Sequence, residues 1–229
     1  MSALPAVPEL ILTERLELRA PALEHVAAIT EAVRDSLTEL KPWMPWATDA
    51  YDAAGAEQSV RGAIAAFVTK ADFRFHMFET GGRFVGSTGL HRIKWAVPRF
   101  EIGYWVRTDC AGQGYVSEAV RALSRVAFED LGAKRVDIRC DDRNLASAAV
   151  AERCGYTLEG VLSNYSVGTD GSVRHERVYA LTDLADLHMP AGLDVGAKAP
   201  REVALSVLAE AQAVRTGTSA RRLRDVTES

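Results

Sequence analysis

Three consecutive pieces decide how this chain is read: Phe100-Glu-Ile-Gly-Tyr-Trp-Val106, Arg107-Thr-Asp-Cys-Ala111, and Gly112-Gln-Gly-Tyr-Val-Ser-Glu-Ala-Val120. They predict a strand, a short glycine loop and a long helix. The strand alternates, with Phe100, Ile102, Tyr104 and Val106 on one face and Glu101, Gly103 and Trp105 on the other. Val116, Val120, Leu123, Ala127 and Leu131 recur at helical spacing, and Gly132 stops the helix. Gly112 and Gly114 let backbone N–H groups turn outward where the helix dipole is positive, which suits a phosphate.

Working outward, Leu10 to Arg19 reads as a first strand, and Pro21 opens a helix with Leu23, Val26, Ile29 and Val33 on one side. In Leu37-Thr-Glu-Leu-Lys-Pro-Trp-Met-Pro-Trp46 the two prolines forbid a regular helix and hold Trp43 and Trp46 close together. Those rings either plug the core or form an aromatic wall for a substrate. Ala53 to Ala71 is a second helix. Phe73–Glu79 and Phe84–Ile93, joined by Thr-Gly-Gly-Arg, form a hairpin that leads into the Phe100 strand. Beyond the long helix come a strand at Arg135–Cys140, a helix capped by Asn144 and closed by Gly155, and a last hairpin of Tyr156–Ser166 and Ser172–Leu181. Residues 1–189 are expected to form one domain. Pro190 to Pro200 reads as a linker, Arg201 to Val214 as a short helix with an apolar stripe, and the remainder as a polar tail. That stripe leaves packing on its own domain and a homodimer both open.

Bulk properties narrow the function. The chain has 229 residues, 48% hydrophobic, and a net charge of -4, which offers no basic field for nucleic acid. Cys110, Cys140 and Cys154 form no paired or CxxC pattern, as suits a reducing cytoplasm. The start lacks a secretory signal, and no apolar run reaches membrane-spanning length, so a cytoplasmic protein with no membrane partner is expected. No His/Cys/carboxylate spacing suggests a metal.

Three glycine-loop chemistries compete. No lysine follows Gly114, which rules out a nucleotide P-loop. A dinucleotide fingerprint needs a third glycine where Ser117 stands, and it normally follows the first strand of a parallel unit. The third is a coenzyme A pyrophosphate loop, and here the chain resembles a family. Thr13-Glu-Arg-Leu-Glu-Leu-Arg19, Glu101-Ile-Gly-Tyr-Trp-Val106, Gly112-Gln-Gly-Tyr-Val-Ser-Glu-Ala119, Asn144-Leu-Ala-Ser147 and Cys154-Gly-Tyr-Thr-Leu-Glu-Gly160 are similar, in order and spacing, to the GNAT N-acetyltransferases of the RimJ/RimL-like branch. The resemblance covers about Leu10 to Leu187. It implies an α/β fold with a mixed, mostly antiparallel sheet flanked by helices. It also implies acetyl-CoA as donor and a protein N-terminus or small amine as acceptor.

By the same resemblance the backbone of Trp105, Val106 and Arg107 pairs with the pantetheine arm. Amides of Gly112, Gln113, Gly114, Tyr115, Val116 and Ser117 hold the pyrophosphate, and Asn144 and Ser147 lie beside the departing sulfur. The chain departs from the family at Ala111 and Val116, and no glutamate stands at Tyr165 or Ser166 where some relatives carry one.

Acetyl transfer needs a neutral amine, a polarised thioester and a proton for the thiolate. An α-amino group near 8 costs about 1.4 kcal/mol to neutralise at pH 7, and a lysine roughly 4.6 kcal/mol, so an N-terminal acceptor makes do with a weaker base. Glu101 is the first choice for that base, against the reading that it only pairs with Arg92 or Lys94. Ser147 is the choice for bonding the thiolate, and Asn144 for cap and coenzyme ligand together. His91, one strand away from Glu101, is a candidate proton relay on the substrate side. Trp43, Trp46 and Tyr165 are expected on that side as well, with His175 a weaker candidate. Cys110 has no neighbour in sequence to activate its thiol, which argues against an acyl-enzyme. Two other readings stay open: a small-molecule amine acetyltransferase, and an acyl-CoA-binding module with little catalysis.

Overall fold

The computed structural model describes residues 4–188. The chain divides into a unit of Met1–Leu187 and a second of His188–Ser229, and the expected linker, short helix and tail fall outside the described residues. Eight strands form one sheet in the order β1-β2-β3-β4-β5-β6-β8-β7. They are β1 (Leu10–Leu12), β2 (Leu16–Arg19), β3 (Phe73–Glu79), β4 (Phe84–Lys94), β5 (Arg99–Val106), β6 (Arg135–Asp141), β7 (Thr157–Val167) and β8 (Val173–Leu181). All neighbours are antiparallel except β5 and β6. The expected mixed, mostly antiparallel α/β architecture is what the chain adopts.

The single strand expected over Leu10–Arg19 is instead two. Thr13 breaks it, its hydroxyl accepting from the Leu16 N–H at 2.9 Å, and the chain reverses so that Leu10 faces Arg19. Alternating leucines carry straight through such a turn, so periodicity alone does not show it.

Helices cover both sheet faces. On one side lie α1 (Val26–Asp35), the one-turn α2 (Leu37–Leu40) and α3 (Ala53–Val68), the last capped by Asp52 accepting from the Gly55 N–H. Ile29, Ala32, Val33, Leu40 and Val60 pack there with Phe78 and Phe84. On the other side α4 (Tyr115–Arg125) runs on into a wider π turn at Val126–Asp130, ended by Gly132 at φ +67°. With α5 (Leu145–Arg153) it covers the larger core, where Val120, Leu123 and Ala127 meet Leu16, Leu18, Phe75, Phe100 and Ile102.

One topological feature makes room for a ligand. The parallel β5–β6 pairing runs Arg99↔Arg135, Phe100↔Val136, Glu101↔Asp137 and then stops, although β5 continues to Val106 and β6 to Asp141. The two strands splay apart beyond Glu101, opening a gap in the middle of the sheet.

Candidate active site

The gap brings together the elements quoted at the outset. Gly112 and Gly114 take φ of +75° and +83°, values that glycine adopts without strain, and Gly114 is the cap residue of α4. The Glu118 N–H bonds the Gly114 carbonyl at 3.0 Å, so the N–H groups of Tyr115, Val116 and Ser117 belong to the open first turn. The loop therefore presents outward donors at the positive end of an eleven-residue helix, a fit for phosphate oxygens. Side chains here serve the loop itself. Gln113 donates to the Asp109 carbonyl, Tyr115 donates to Glu79, and the Ser117 hydroxyl accepts from Arg153. Val116 packs toward the main core, so its bulk does not crowd the loop. Cys110 is buried, and burial pushes its thiol up, away from a reactive thiolate.

Three residues that anchor the loop carried no assigned role in the sequence reading. Glu118 accepts from the Thr13 hydroxyl (2.6 Å), the Arg15 N–H (2.8 Å) and the Arg15 guanidinium (2.7 Å). Arg15 also donates to the Gln113 carbonyl and lies over the Tyr115 ring, 4.7 Å from its centroid. The first hairpin turn thus clamps the glycine loop. Burial raises the Glu118 carboxyl, but the bonds from Thr13 and Arg15 outweigh it and hold the group below the usual range. A depressed carboxyl adds stability above its unfolded value, and that stability is lost as pH falls through the folded value. Glu118→Gln is expected to cost about 2 kcal/mol, because it removes the charge from several hydrogen bonds. Thermal unfolding and the coenzyme KM check this, and unchanged values in both would remove the clamp from the account.

The strand β5 lines one side of the gap, and its register corrects part of the expectation. The Arg107 N–H bonds the Val85 carbonyl at 2.8 Å, so Arg107 and, by alternation, Trp105 turn their backbone groups toward β4. Tyr104 and Val106 are the residues whose backbone faces the gap. The Arg107 side chain is held by Asp109, Asp35 and Glu31. Across the gap Asn144 caps α5, its Oδ1 accepting from the Ser147 N–H at 3.0 Å. The Tyr104 hydroxyl lies 3.0 Å from Ser147 Oγ and donates to the Ser147 carbonyl at 3.1 Å. Burial pushes the Tyr104 phenol well up, which keeps it protonated. Tyr104 thus holds Ser147 in place at the start of α5.

On the opposite sheet face a cavity of about 350 Å³ opens beside β5. Gly103, which pairs across the ladder with Gly89, is among its lining residues. Trp46, Met44 and Tyr51 come from the proline-rich loop and its sequel, and Trp105, His76, Ser87 and His91 from the sheet. Trp46 stands 5.8 Å from Trp105, ring to ring. Trp43 does not join it among the cavity's lining residues; Met44 does. The tight turn fixed by the Leu40 carbonyl, which accepts from both Trp43 and Met44, sets which side chains point inward.

Glu101 lies outside this cavity. Its carboxylate sits 3.5 Å from Arg92 and 3.5 Å from Arg139, in a neighbouring recess that also holds half-exposed Tyr165. Burial raises its carboxyl and the two guanidiniums oppose the rise. His175 accepts from the Asn164 N–H at 3.3 Å and lines neither space.

Comparison with known proteins places this geometry. The family described as "Acetyltransferase (GNAT) domain" matches residues 15–157, more than half of the chain. The chain belongs to the GNAT acetyltransferase family. A shorter match, to the "XdhC Rossmann domain", spans residues 139–211. The described part of that span holds the end of β6, α5 and the β7–β8 hairpin, all of whose strand pairings are antiparallel, which is not the parallel sheet of a Rossmann unit.

Among relatives of this GNAT enzyme, the ribosomal-protein-serine acetyltransferase of Escherichia coli (strain K12) is 29% identical over 150 residues, 66% of this chain and 83% of that one. The FsC-acetyl coenzyme A-N(2)-transacetylase of Aspergillus fumigatus is 36% identical over 85 residues, 36% of its length. RimL, the ribosomal L7/L12 alpha-N-protein acetyltransferase, solved with coenzyme A, superposes with a TM-score of 0.73 at 26% identity, covering 77% of this chain and 99% of that one. GNAT enzymes use acetyl-CoA, and the splayed strands, open helix end and hydroxyl pair fit that coenzyme. No helix among the described residues is long and apolar enough to cross a membrane.

Proposed function

We propose that this GNAT enzyme transfers the acetyl group of acetyl-CoA directly to the α-amine of a protein or peptide N-terminus. The coenzyme supplies the acetyl group as a thioester. The residues of the glycine loop, Gly112 to Ser117, would hold its pyrophosphate, and the backbone of Tyr104 and Val106 would hold its arm. Ser147, held by Tyr104, would donate a hydrogen bond to the departing thiolate, and Asn144 keeps that serine in place by capping α5.

The observation that carries the acceptor class is the lining of the cavity. It holds aromatic and apolar side chains, two histidines, the hydroxyls of Ser59, Ser87, Thr88, Tyr51 and Tyr104, and Arg74, and no carboxylate. A polyamine or aminoglycoside carries several positive charges that such walls leave unpaired, at a cost in desolvation. A peptide N-terminus brings one amine and an otherwise neutral backbone. Its lower amine pKa also lowers the demand on the base. The ribosomal-protein acetyltransferases among its relatives support the same reading.

The test is thiol release from acetyl-CoA with N-terminal peptides against spermidine and an aminoglycoside. Peptides are expected to react at least about tenfold faster in kcat/KM, one decade being 1.4 kcal/mol of differential transition-state binding. Trp46→Ala is expected to lower peptide kcat/KM about tenfold, mainly through KM, since an aromatic wall acts on binding. Faster turnover of the polycations would move the acceptor to the small-molecule class.

A further inference from the structure

The register of the sheet places four titratable side chains in one row across the face that bears the acceptor cavity. Phe73 pairs with Leu90, so Asp72, the residue before β3, falls opposite His91. His91 pairs with Glu101, and Glu101 with Asp137. Within this row one contact is short: His91 Nδ1 lies 2.6 Å from Asp72 Oδ2, with both side chains about 30% exposed (28% and 30%). The aspartate takes one ring nitrogen and leaves the other, Nε2, on the side of Gly103. A Cβ built on Gly103 would stand 3.3 Å from Nε2, and one on Gly89 would stand 2.8 Å from the ring carbon Cε1. Those two missing side chains are the space the imidazole occupies. The ladder irregularity after His91, with Arg92 at φ +48°, accompanies this placement, as strand bulges often do where a side chain is re-aimed.

We infer that His91, held by Asp72, is the base that takes the proton from the acceptor amine, and that Glu101 is not. This rests on the N-acetyltransferase reading above and names the proton acceptor within it. Asp72 Oδ2 accepts the Nδ1–H, which leaves the Nε2 lone pair beside cavity-lining Gly103, at the mouth of the splay between β5 and β6. An ammonium donating to Nε2 becomes a neutral amine and leaves an imidazolium beside the Asp72 carboxylate. The amine lone pair then forms the N–C bond to the acetyl carbon as the C–S bond breaks. The proton still on that nitrogen passes to the thiolate, which the Ser147 hydroxyl bonds meanwhile. The imidazolium returns its proton to water, so the sum is amide, thiol and one released proton. Glu101 lacks this geometry. Its two oxygens face Arg92 and Arg139 in the adjoining recess, and it does not line the cavity. Asp72 is a positioning residue: it acts through the ring.

The test uses the full chain with a reactive peptide acceptor and compares His91→Gln, His91→Ala, Asp72→Asn and Glu101→Gln. Coenzyme A affinity serves as the control for folding. Loss of the base is expected to lower kcat about 10²–10³-fold in both His91 variants at unchanged coenzyme affinity, and added imidazole is expected to restore part of the His91→Ala rate. Asp72→Asn is expected to lower kcat at least about tenfold and to shift the acid limb of the kcat/KM–pH profile, which loss of packing alone would not move. Glu101→Gln is expected to stay within roughly threefold of the parent, since no reacting proton reaches it. His91 variants that keep parental kcat, or that lose it with neither imidazole rescue nor a changed profile in Asp72→Asn, overturn the inference. A parent that binds coenzyme and acetylates no amine overturns the acetyltransferase reading and the inference together. A parent active on peptides with His91 dispensable overturns the inference alone.

Discussion

Lowering the pH from 7 to 4 is expected to remove about 3 kcal/mol of folding stability through one buried histidine. His76 on β3 is 1% exposed, and its Nδ1 lies 2.8 Å from Nδ1 of His25, itself 5% exposed. The pair is neutral in the folded protein, one ring donating and the other accepting. Burial first, then the neighbouring His25 and Arg74, push His76 down to about 3. His25 is also lowered, by burial and by Arg19, with Glu24 opposing. Between the ordinary histidine range and pH 3 the unfolded chain carries a proton at position 76 and the folded chain does not. Stability therefore rises with pH in that window, is complete above about 6.5, and falls by about 1.4 kcal/mol per unit below it. Urea midpoints measured from pH 7 to 4 give the slope. His76→Asn, which keeps a hydrogen-bonding group near Nδ1 and cannot titrate, is expected to be less stable at pH 7 and flatter toward acid. Equal slopes in parent and variant would remove His76 as the cause.

The physical origin of that effect also marks where sequence reading stops. Single histidines 51 positions apart give no local sign that their rings will meet. The same holds for Tyr104 and Ser147, 43 positions apart, and for the Thr13–Arg15 turn that reaches Glu118. What was legible came from periodicity and turn chemistry: β3 and β4, the β5 face pattern, the glycine loop and α4, and the Asn144 cap. Each follows from residues within a few positions of one another. The Trp43-Met-Pro-Trp46 run shows the boundary. Its prolines made a rigid aromatic loop legible, but which rings face the cavity depends on the Leu40 carbonyl turn and on Trp105, which lies 59 positions beyond Trp46. Asp72 was missed because a polar residue between a helix and a strand reads as a boundary. Only the β3–β4 register puts it opposite His91.

A single methyl group on Gly86 is expected to be the most damaging small change outside the site. Gly86 follows the point where the β3–β4 ladder slips, Met77 pairing with Gly86 and Phe78 with Phe84. A Cβ there would stand 2.2 Å from the Trp105 carbonyl oxygen and 2.9 Å from both Val106 Cα and Met77 Cε. Two of those three neighbours are β5 backbone, so no rotamer change relieves the overlap and the strand itself has to move off β4. Overpacking against backbone costs about 3 kcal/mol, which for a chain of this size is roughly 6–12 °C in Tm. The displaced segment carries Tyr104 and Val106, whose backbone lines the gap. Coenzyme affinity is therefore expected to fall together with stability in Gly86→Ala. Gly62 in the exposed face of α3 is the matched control, because a Cβ there meets nothing within 4 Å. Gly62→Ala is expected to stabilise by about 0.5–1 kcal/mol through helix propensity and to leave coenzyme affinity unchanged. If Gly86→Ala melted with the parent, the contact between β4 and the Trp105 carbonyl would not be what holds β5 in place, and the splay would need another origin. If it melted early yet bound coenzyme normally, the arm would not depend on the register of β5.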